Sequence, residues 1–97
     1  RFQGGKGVAT YIGMLLGANA WMVLVFAAVW LGMAKIFKIS SLAALVATAV
    51  VPVVLLAIGD FNTALVMTLM TAISWIKHKD NIKRLLAGTE SKIGQKG

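Results

Sequence analysis

Residues 39–59 read ISSLAALVATAVVPVVLLAIG, and none of these side chains is charged. A helix that crosses the hydrocarbon core of a bilayer needs roughly 17–25 mostly apolar residues, so this stretch predicts one membrane-spanning helix. Pro52 lies in its middle, where a proline is expected to bend the helix. Residues 7–34 and 61–76 are also free of charged side chains. The chain is therefore predicted to consist mainly of membrane-embedded helices.

The composition of the chain argues against a soluble globular domain. Of its 97 residues, 59% are hydrophobic and 13% are charged, against roughly 45–50% and 25% in a typical soluble domain. A chain this short has too little interior to hide so much apolar surface. With no cysteine, one histidine and three acidic residues, it offers few metal ligands, so no metal and no cofactor are expected.

The ten basic residues form three clusters separated by uncharged stretches. Basic residues favour the cytoplasmic face of a membrane, and an even number of crossings must separate clusters that share a face. We therefore predict a short helix over about 7–17, a longer one over about 20–37, and a hairpin of 39–59 and 61–76 with Asp60 at its outer tip. The clusters are Arg1 and Lys6, then Lys35 and Lys38, then Lys77, Lys79, Lys83, Arg84, Lys92 and Lys96.

This pattern predicts an all-α, polytopic transmembrane helix bundle with about four membrane helices, the first of them short. Within it, residues 1–10 form a glycine-rich loop, residues 7–76 the membrane helices, and residues 77–97 a basic cytoplasmic C-terminal segment. Ala9, Gly13 and Gly17 recur every four residues and are expected to form a helix-packing face. The uncharged stretches 7–34, 39–59 and 61–76 contain no Asp, Glu, Lys, Arg or His side chain, which disfavours ion-coupled transport.

The stretch GGKGVAT at residues 4–10 places three glycines around a lysine directly before the first predicted helix. Glycine lets backbone N–H groups approach a phosphate closely, and a helix N-terminus adds unpaired N–H groups. It is not a Walker A loop, because glycine rather than serine or threonine follows the lysine. An ordinary flexible basic turn is the alternative. The candidate phosphate ligands are Gly4, Gly5, Lys6, Gly7 and Thr10.

The stretch HKDNIKRLLAGTE at residues 78–90 is the second motif. A helix is predicted over about 76–87, leaving the membrane and ending at Gly88. His78, Asn81 and Arg84 are spaced by three residues and share one stripe, from which they can donate several hydrogen bonds to a phosphate. The alternative is a basic amphipathic tail that anchors the chain on anionic lipid.

Together, GGKGVAT, the four membrane segments and the pattern H-x-x-N-I-x-R-L-x-x-G-x-E resemble the PlsY family. These are bacterial integral-membrane glycerol-3-phosphate acyltransferases that use acyl phosphate. The Ser41-Leu42-Ala43 stretch also resembles a family segment, with Lys38 where arginine is common. A first family motif would precede Arg1. The resemblance therefore implies the C-terminal part of one acyltransferase domain, within a parent of seven helices.

The resemblance implies transfer of an acyl group from acyl phosphate to the 1-hydroxyl of glycerol 3-phosphate, giving lysophosphatidic acid and phosphate. This is the first step of bacterial phospholipid synthesis. The acyl phosphate would come from a separate soluble phosphate acyltransferase, and membrane lipid is the other expected partner. Neither nucleic acid nor metal is expected. The protein would be a multi-pass protein of the bacterial inner membrane, with the site and C-terminus facing the cytoplasm.

The resemblance also implies roles for individual residues. The glycine-rich loop and Lys6 would hold the phosphate of glycerol 3-phosphate. His78 and Asn81 would be the catalytic residues, with His78 acting as general base or as hydrogen-bond donor. The remaining candidates are Thr10, Ser41 and Arg84 for substrate binding, and Gly88 and Glu90 for structural roles near the site.

Two other functions compete with this one. A non-enzymatic membrane module or transporter subunit would not need glycines around Lys6. An acyltransferase that uses acyl-CoA or acyl carrier protein usually carries an H-x-x-x-x-D motif, whereas Lys83 stands at the fifth position after His78. The second option is therefore disfavoured. The 97 residues alone are expected to be inactive.

Overall fold

The computed structural model describes residues 4–90 and 92–93, apart from the side chains of residues 4–7. These residues form a bundle of helices connected by short turns, with no strand among them. The all-α prediction is confirmed. The helices are α1 (Gly4–Ala18), α2 (Trp21–Phe37), α3 (Ser40–Ala57), α4 (Phe61–Lys77) and α5 (Lys79–Ala87).

The first four helices run alternately up and down, so their connecting turns fall at two ends. At one end the α1–α2 turn meets the α3–α4 turn, where Asn19 Nδ2 donates to Asp60 Oδ2 at 3.4 Å. Asp60 also caps α4, because its Oδ1 accepts from the backbone N–H of Thr63 at 3.3 Å. The other end, called here the basic end, holds the start of α1, the α2–α3 turn with Lys38, and α5. The α2–α3 turn and the segment after α5 lie at the same end, as the predicted hairpin of 39–59 and 61–76 requires.

Helix α3 is the centre of the bundle and packs against both α2 and α4. Its alanine, serine and threonine residues allow close helix approach, and half of its residues are buried. The core is completed by apolar side chains from α1, α2 and α4. The buried apolar cluster comprises Tyr11, Leu15, Met22, Phe26, Ala47, Val51, Leu55, Ala64 and Met67.

Pro52 interrupts the backbone hydrogen bonds of α3, since it has no N–H to donate to the carbonyl of Thr48 four residues earlier. Two other helices supply the missing donors. Tyr11 Oη donates to the Thr48 carbonyl at 3.0 Å. Thr71 Oγ1 lies 2.6 Å from the same oxygen and 2.8 Å from the Met67 carbonyl, and its one proton serves either acceptor. The Thr48 carbonyl oxygen therefore links α1, α3 and α4. Transmembrane helices tolerate an internal proline when neighbouring helices pair the freed backbone group in this way.

The lengths of the helices qualify the predicted membrane topology. Among the described residues, α3 is the one helix both long and apolar enough to cross a bilayer, with a mean hydropathy of 2.3 over 18 residues. Val8–Ala18 and Trp21–Phe37 are shorter apolar helices, and α4 has 17 residues. Large apolar side chains also cover the outside of the bundle. They include Leu16, Trp21, Leu24, Leu31, Ile36, Val53, Phe61, Leu65 and Ile76.

Three predicted features differ from the structure. Helix α1 begins at Gly4 rather than near residue 7, so the four-residue GGKG stretch is its first turn and not a loop before it. Glycine weakens a helix by about 1 kcal/mol without forbidding it. The predicted helix over 76–87 is broken at His78, which caps both α4 and α5. The predicted packing face of α1 is uncovered, because nothing lies within 4 Å of a Cβ built on Gly13 or Gly17.

Candidate functional site

The carboxylate of Glu90 lies at the centre of the polar groups at the basic end. Ser41 Oγ and Asn81 Nδ2 both donate to Glu90 Oε2, each at 2.6 Å. Arg84 Nε donates to Glu90 Oε1, also at 2.6 Å. These bonds join the start of α3 to α5 and to the segment after it. We call these four residues the Glu90 cluster.

The Glu90 cluster depends on a sharp turn after α5. Gly88 ends the helix with φ +76°, a left-handed conformation that glycine adopts without the steric penalty of a side chain. The N–H of Thr89 then donates to the carbonyl of Arg84 at 2.8 Å. Further on, the N–H of Ile93 donates to the carbonyl of Lys38. The segment after α5 is therefore fastened to the α2–α3 turn.

Glu90 is ionised at neutral pH. Burial raises its pKa, but the hydrogen bonds from Arg84, Ser41 and Asn81 and the positive charge of Arg84 outweigh burial and lower the pKa to about 2. The side chain of Glu90 is only 8% exposed, whereas that of Arg84 is 47% exposed. An ionised carboxylate only accepts hydrogen bonds, so all three neighbours must face it with donor atoms.

His78 lies between α4 and α5 and is buried. Its Nδ1 lies 2.7 Å from the carbonyl oxygen of Ser74, which also accepts from the backbone N–H of His78 at 3.0 Å. A carbonyl cannot donate, so Nδ1 carries a proton, and Nε2 is the ring nitrogen that can act as an acceptor. Nε2 is buried and has no hydrogen-bond partner among the described residues.

The glycine-rich motif forms the first turn of α1, at the same end of the bundle as the Glu90 cluster. The first four N–H groups of a helix have no acceptor within that helix, and together with the helix dipole they favour an anion. Gly4, Gly5 and Gly7 thus belong to a helix N-terminus. The side chain of Lys6 lies outside the described residues. Thr10, on the second turn, is exposed.

The structure brings some of the predicted site residues into contact and leaves others apart. Ser41, Asn81, Arg84 and Glu90 are in direct contact, with the Gly88 turn beside them. Glu90 accepts a hydrogen bond from Arg84, and its structural role stays a prediction. Sequence reasoning missed Ser74, which orients the His78 ring; its position four residues before the histidine was the available signal. Within the described part of the chain, no three histidine or acidic side chains are grouped as a metal site requires.

An apolar groove of about 440 Å³ runs between α1 and α2. Val8 and Ala9 place it next to the first turn of α1, so it begins near the glycine-rich motif. It is open to the outside of the bundle and can accommodate an apolar chain. Its lining consists of Val8, Ala9, Ile12, Val23, Phe26, Ala27, Trp30 and Leu31.

Comparison with known proteins identifies the family. The sequence profile described as glycerol-3-phosphate acyltransferase matches residues 1–88. The chain is 65% identical over 96 residues to the glycerol-3-phosphate acyltransferase of Rhizobium meliloti (strain 1021) and 62% identical over 96 residues to that of Sinorhizobium medicae (strain WSM419). Each match covers 99% of this chain and 47% of the relative.

The relative from Agrobacterium fabrum (strain C58 / ATCC 33970) is 57% identical over 96 residues, again covering 99% of this chain and 47% of its own length. The chain thus spans about half the length of the curated relatives it matches. No solved structure shows significant similarity to it. Because the profile covers nearly the whole chain, including the first motif and residues 78–88 of the second, the chain belongs to the glycerol-3-phosphate acyltransferase family.

Proposed function

We propose that, in the full-length enzyme, these residues transfer a fatty acyl group from acyl phosphate to the 1-hydroxyl of glycerol 3-phosphate. The hydroxyl oxygen forms a bond to the acyl carbon, and the bond from that carbon to the phosphate oxygen breaks. The products are 1-acylglycerol 3-phosphate and inorganic phosphate. The observation that carries the proposal is that both motifs and Ser41 lie at one end of the bundle, although they are far apart in sequence.

The phosphate groups of both substrates require cations and N–H donors. The first turn of α1 supplies backbone N–H groups from the glycine-rich motif, and Lys6 supplies a charge close to them in sequence. Arg84 uses only Nε on Glu90, so its two terminal nitrogens remain for a phosphate oxygen. Inorganic phosphate is a good leaving group, so positioning and electrostatic stabilisation account for most of the catalysis.

His78 is the proposed acceptor for the proton of the attacking hydroxyl. Its Nδ1 proton is directed at the Ser74 carbonyl, so Nε2 is the basic atom of the ring. The competing acceptor is a phosphate oxygen of the acyl donor itself. A His78→Gln variant separates the two, because loss of a general base lowers kcat by about 100-fold or more. Activity within tenfold of wild type would instead assign the proton to the acyl donor.

The acyl chain needs an apolar surface beside these polar groups. The groove between α1 and α2 meets this need, because it begins next to the glycine-rich motif and its lining is apolar. A chain bound there would extend away from the basic end. The reactive carbonyl of the acyl phosphate would then lie at the basic end, near His78 and Asn81.

The family is membrane-bound, and the proposed orientation is a multi-pass one in the bacterial inner membrane, with the basic end in the cytoplasm. A cysteine at Asn62, next to the α3–α4 turn, should react with an impermeant thiol reagent added from outside. A cysteine at the exposed Lys83 should react only after the membrane is opened. The reverse pattern would refute the orientation.

The proposed reaction is tested in a chimera in which these residues replace the matching segment of the Rhizobium meliloti protein. Membranes would be assayed for incorporation of radiolabelled glycerol 3-phosphate with acyl phosphate or acyl-CoA as donor. We expect incorporation with acyl phosphate alone, its loss in Lys6→Ala and Asn81→Ala, and its retention in the control Lys79→Ala. If a folded chimera uses neither donor, a non-enzymatic membrane role becomes the better explanation.

A further inference from the structure

Glu90 determines which atoms of its neighbours are left to face a substrate. A serine hydroxyl has one proton, and that of Ser41 is used on Glu90 Oε2. The same oxygen takes an N–H of Asn81. Ser41 is only 4% exposed, so it lies behind the cluster rather than on its surface. Asn81 is more exposed than Ser41, so it is the member of this pair that a substrate reaches.

The ionised carboxylate fixes the orientation of the Asn81 amide. Because Glu90 can only accept, the amide nitrogen of Asn81 must face it, and a flipped amide would place two acceptor oxygens against each other. The carbonyl oxygen Oδ1 therefore lies on the other side of the amide. An oxygen held in that way accepts a hydrogen bond from a hydroxyl.

Glu90 is itself held firmly enough to impose this orientation. Arg84 binds its other oxygen at 2.6 Å, and Ser41 binds the oxygen that Asn81 uses. The backbone bonds of Thr89 and Ile93 fasten the chain on both sides of Glu90. Charge-assisted bonds of this length are stronger than neutral ones.

We propose that Glu90 is a positioning residue that holds Asn81 Oδ1 ready to accept a hydrogen bond from the 2-hydroxyl of glycerol 3-phosphate. The inference rests on the proposed function. His78 and Asn81 are three residues apart at the start of α5, and the two hydroxyl groups of glycerol 3-phosphate are on adjacent carbons. The 1-hydroxyl would face His78 Nε2 while the 2-hydroxyl faces Asn81.

A second interpretation of the same contacts makes the opposite prediction. Glu90 could stand where a substrate phosphate binds, so that the phosphate must displace it. Removing its charge would then strengthen phosphate binding. If Glu90 positions Asn81, the acceptor oxygen of Glu90 matters more for the hydrogen bond than its negative charge does. An uncharged side chain with an oxygen at the same place would preserve the orientation of the amide.

The test measures kcat/KM of the chimera for glycerol 3-phosphate and for 3-hydroxypropyl phosphate, which keeps the reacting hydroxyl and lacks the 2-hydroxyl. We call the ratio of the two values the hydroxyl preference. Loss of one hydrogen bond predicts a preference of about tenfold in the wild type. We expect about twofold in Glu90→Ala and about fivefold in Glu90→Gln, whose amide oxygen still accepts from Asn81. The exposed neighbour Thr89→Ala is the control and should keep the wild-type value.

Two further measurements separate positioning from a general structural effect. A Ser41→Ala, Glu90→Ala double variant should show the same preference as Glu90→Ala alone, because Ser41 acts on Asn81 only through Glu90. Inhibition by inorganic phosphate should change by less than about threefold in Glu90→Gln, since no charge contact to phosphate is lost. Phosphate inhibition that becomes about tenfold stronger would overturn the proposal in favour of displacement.

An unchanged hydroxyl preference in Glu90→Ala, or no preference in the wild type, would also overturn it. If Glu90→Ala does not fold, Ser41→Ala provides the comparison: a fall of about threefold supports positioning, and an unchanged value refutes it. A wild-type chimera that fails to acylate glycerol 3-phosphate would refute the proposed function itself. Acylation with an unaffected preference refutes only the role of Glu90.

Discussion

The Thr48 carbonyl gives the sharpest test of how this bundle is held together. Tyr11→Phe and Thr71→Val each remove one donor to that oxygen, and the double variant removes both. Because Pro52 has no N–H, the oxygen would then have no donor from its own helix either. Pro52→Ala restores the backbone N–H four residues after Thr48. The stability of the double variant should therefore depend on which residue occupies position 52.

The expected size follows from the contacts. A hydrogen bond between membrane helices contributes about 0.6 kcal/mol on average and at most about 1.7 kcal/mol, so each single variant should lose about that much. Thr48 is fully buried, and leaving its carbonyl unpaired adds about 1–3 kcal/mol. The double variant should therefore lose about 2–4 kcal/mol with Pro52 and about half of that with alanine at position 52.

The measurement is reversible unfolding of the chimera in mixed detergent micelles, with the free energy of unfolding compared across the set. Thr68→Val is the matched control, because Thr68 Oγ1 donates to the Ala64 carbonyl at 2.7 Å within its own helix. It should change stability by less than about 0.5 kcal/mol. The reasoning is refuted if the double variant loses as much stability with alanine at position 52 as with proline.

Two other predictions concern the basic end of the bundle. The folded pKa of Glu90, about 2, lies below its ordinary value, so its contribution to stability is complete above about pH 4.5 and is lost as the pH falls toward 2. The full shift corresponds to about 3 kcal/mol, and solvent around the half-exposed Arg84 reduces this to about 1–2 kcal/mol. Unfolding of wild type and Glu90→Gln at several pH values should therefore show a difference that shrinks below pH 4.5, and a constant difference would contradict this. Gly88→Ala should lose about 1 kcal/mol or more, because alanine is strained at φ +76°. Gly13→Ala, in a helix with open space around it, should be neutral or stabilising, and equal losses in the two variants would contradict the backbone explanation.

The helices and their order were predictable from the sequence alone, because the evidence for them is local. Uncharged stretches, the positions of the basic clusters and the turn at Asp60 each depend on residues close together in the chain. Gly88 likewise marked the end of α5. Family membership was also visible, since the two motifs carry it through their residue types and spacing.

Contacts between distant residues required the tertiary structure. The helical register brings Tyr11 and Thr71 to the oxygen that Pro52 leaves without a donor, and it brings Ser41 and Asn81 to one oxygen of Glu90. Neither set of contacts follows from spacing along the chain, because both depend on how far each helix is rotated and shifted against its neighbours. The break at His78, where φ is −97° and ψ is 17°, was not predicted either, because the local sequence favours one continuous helix.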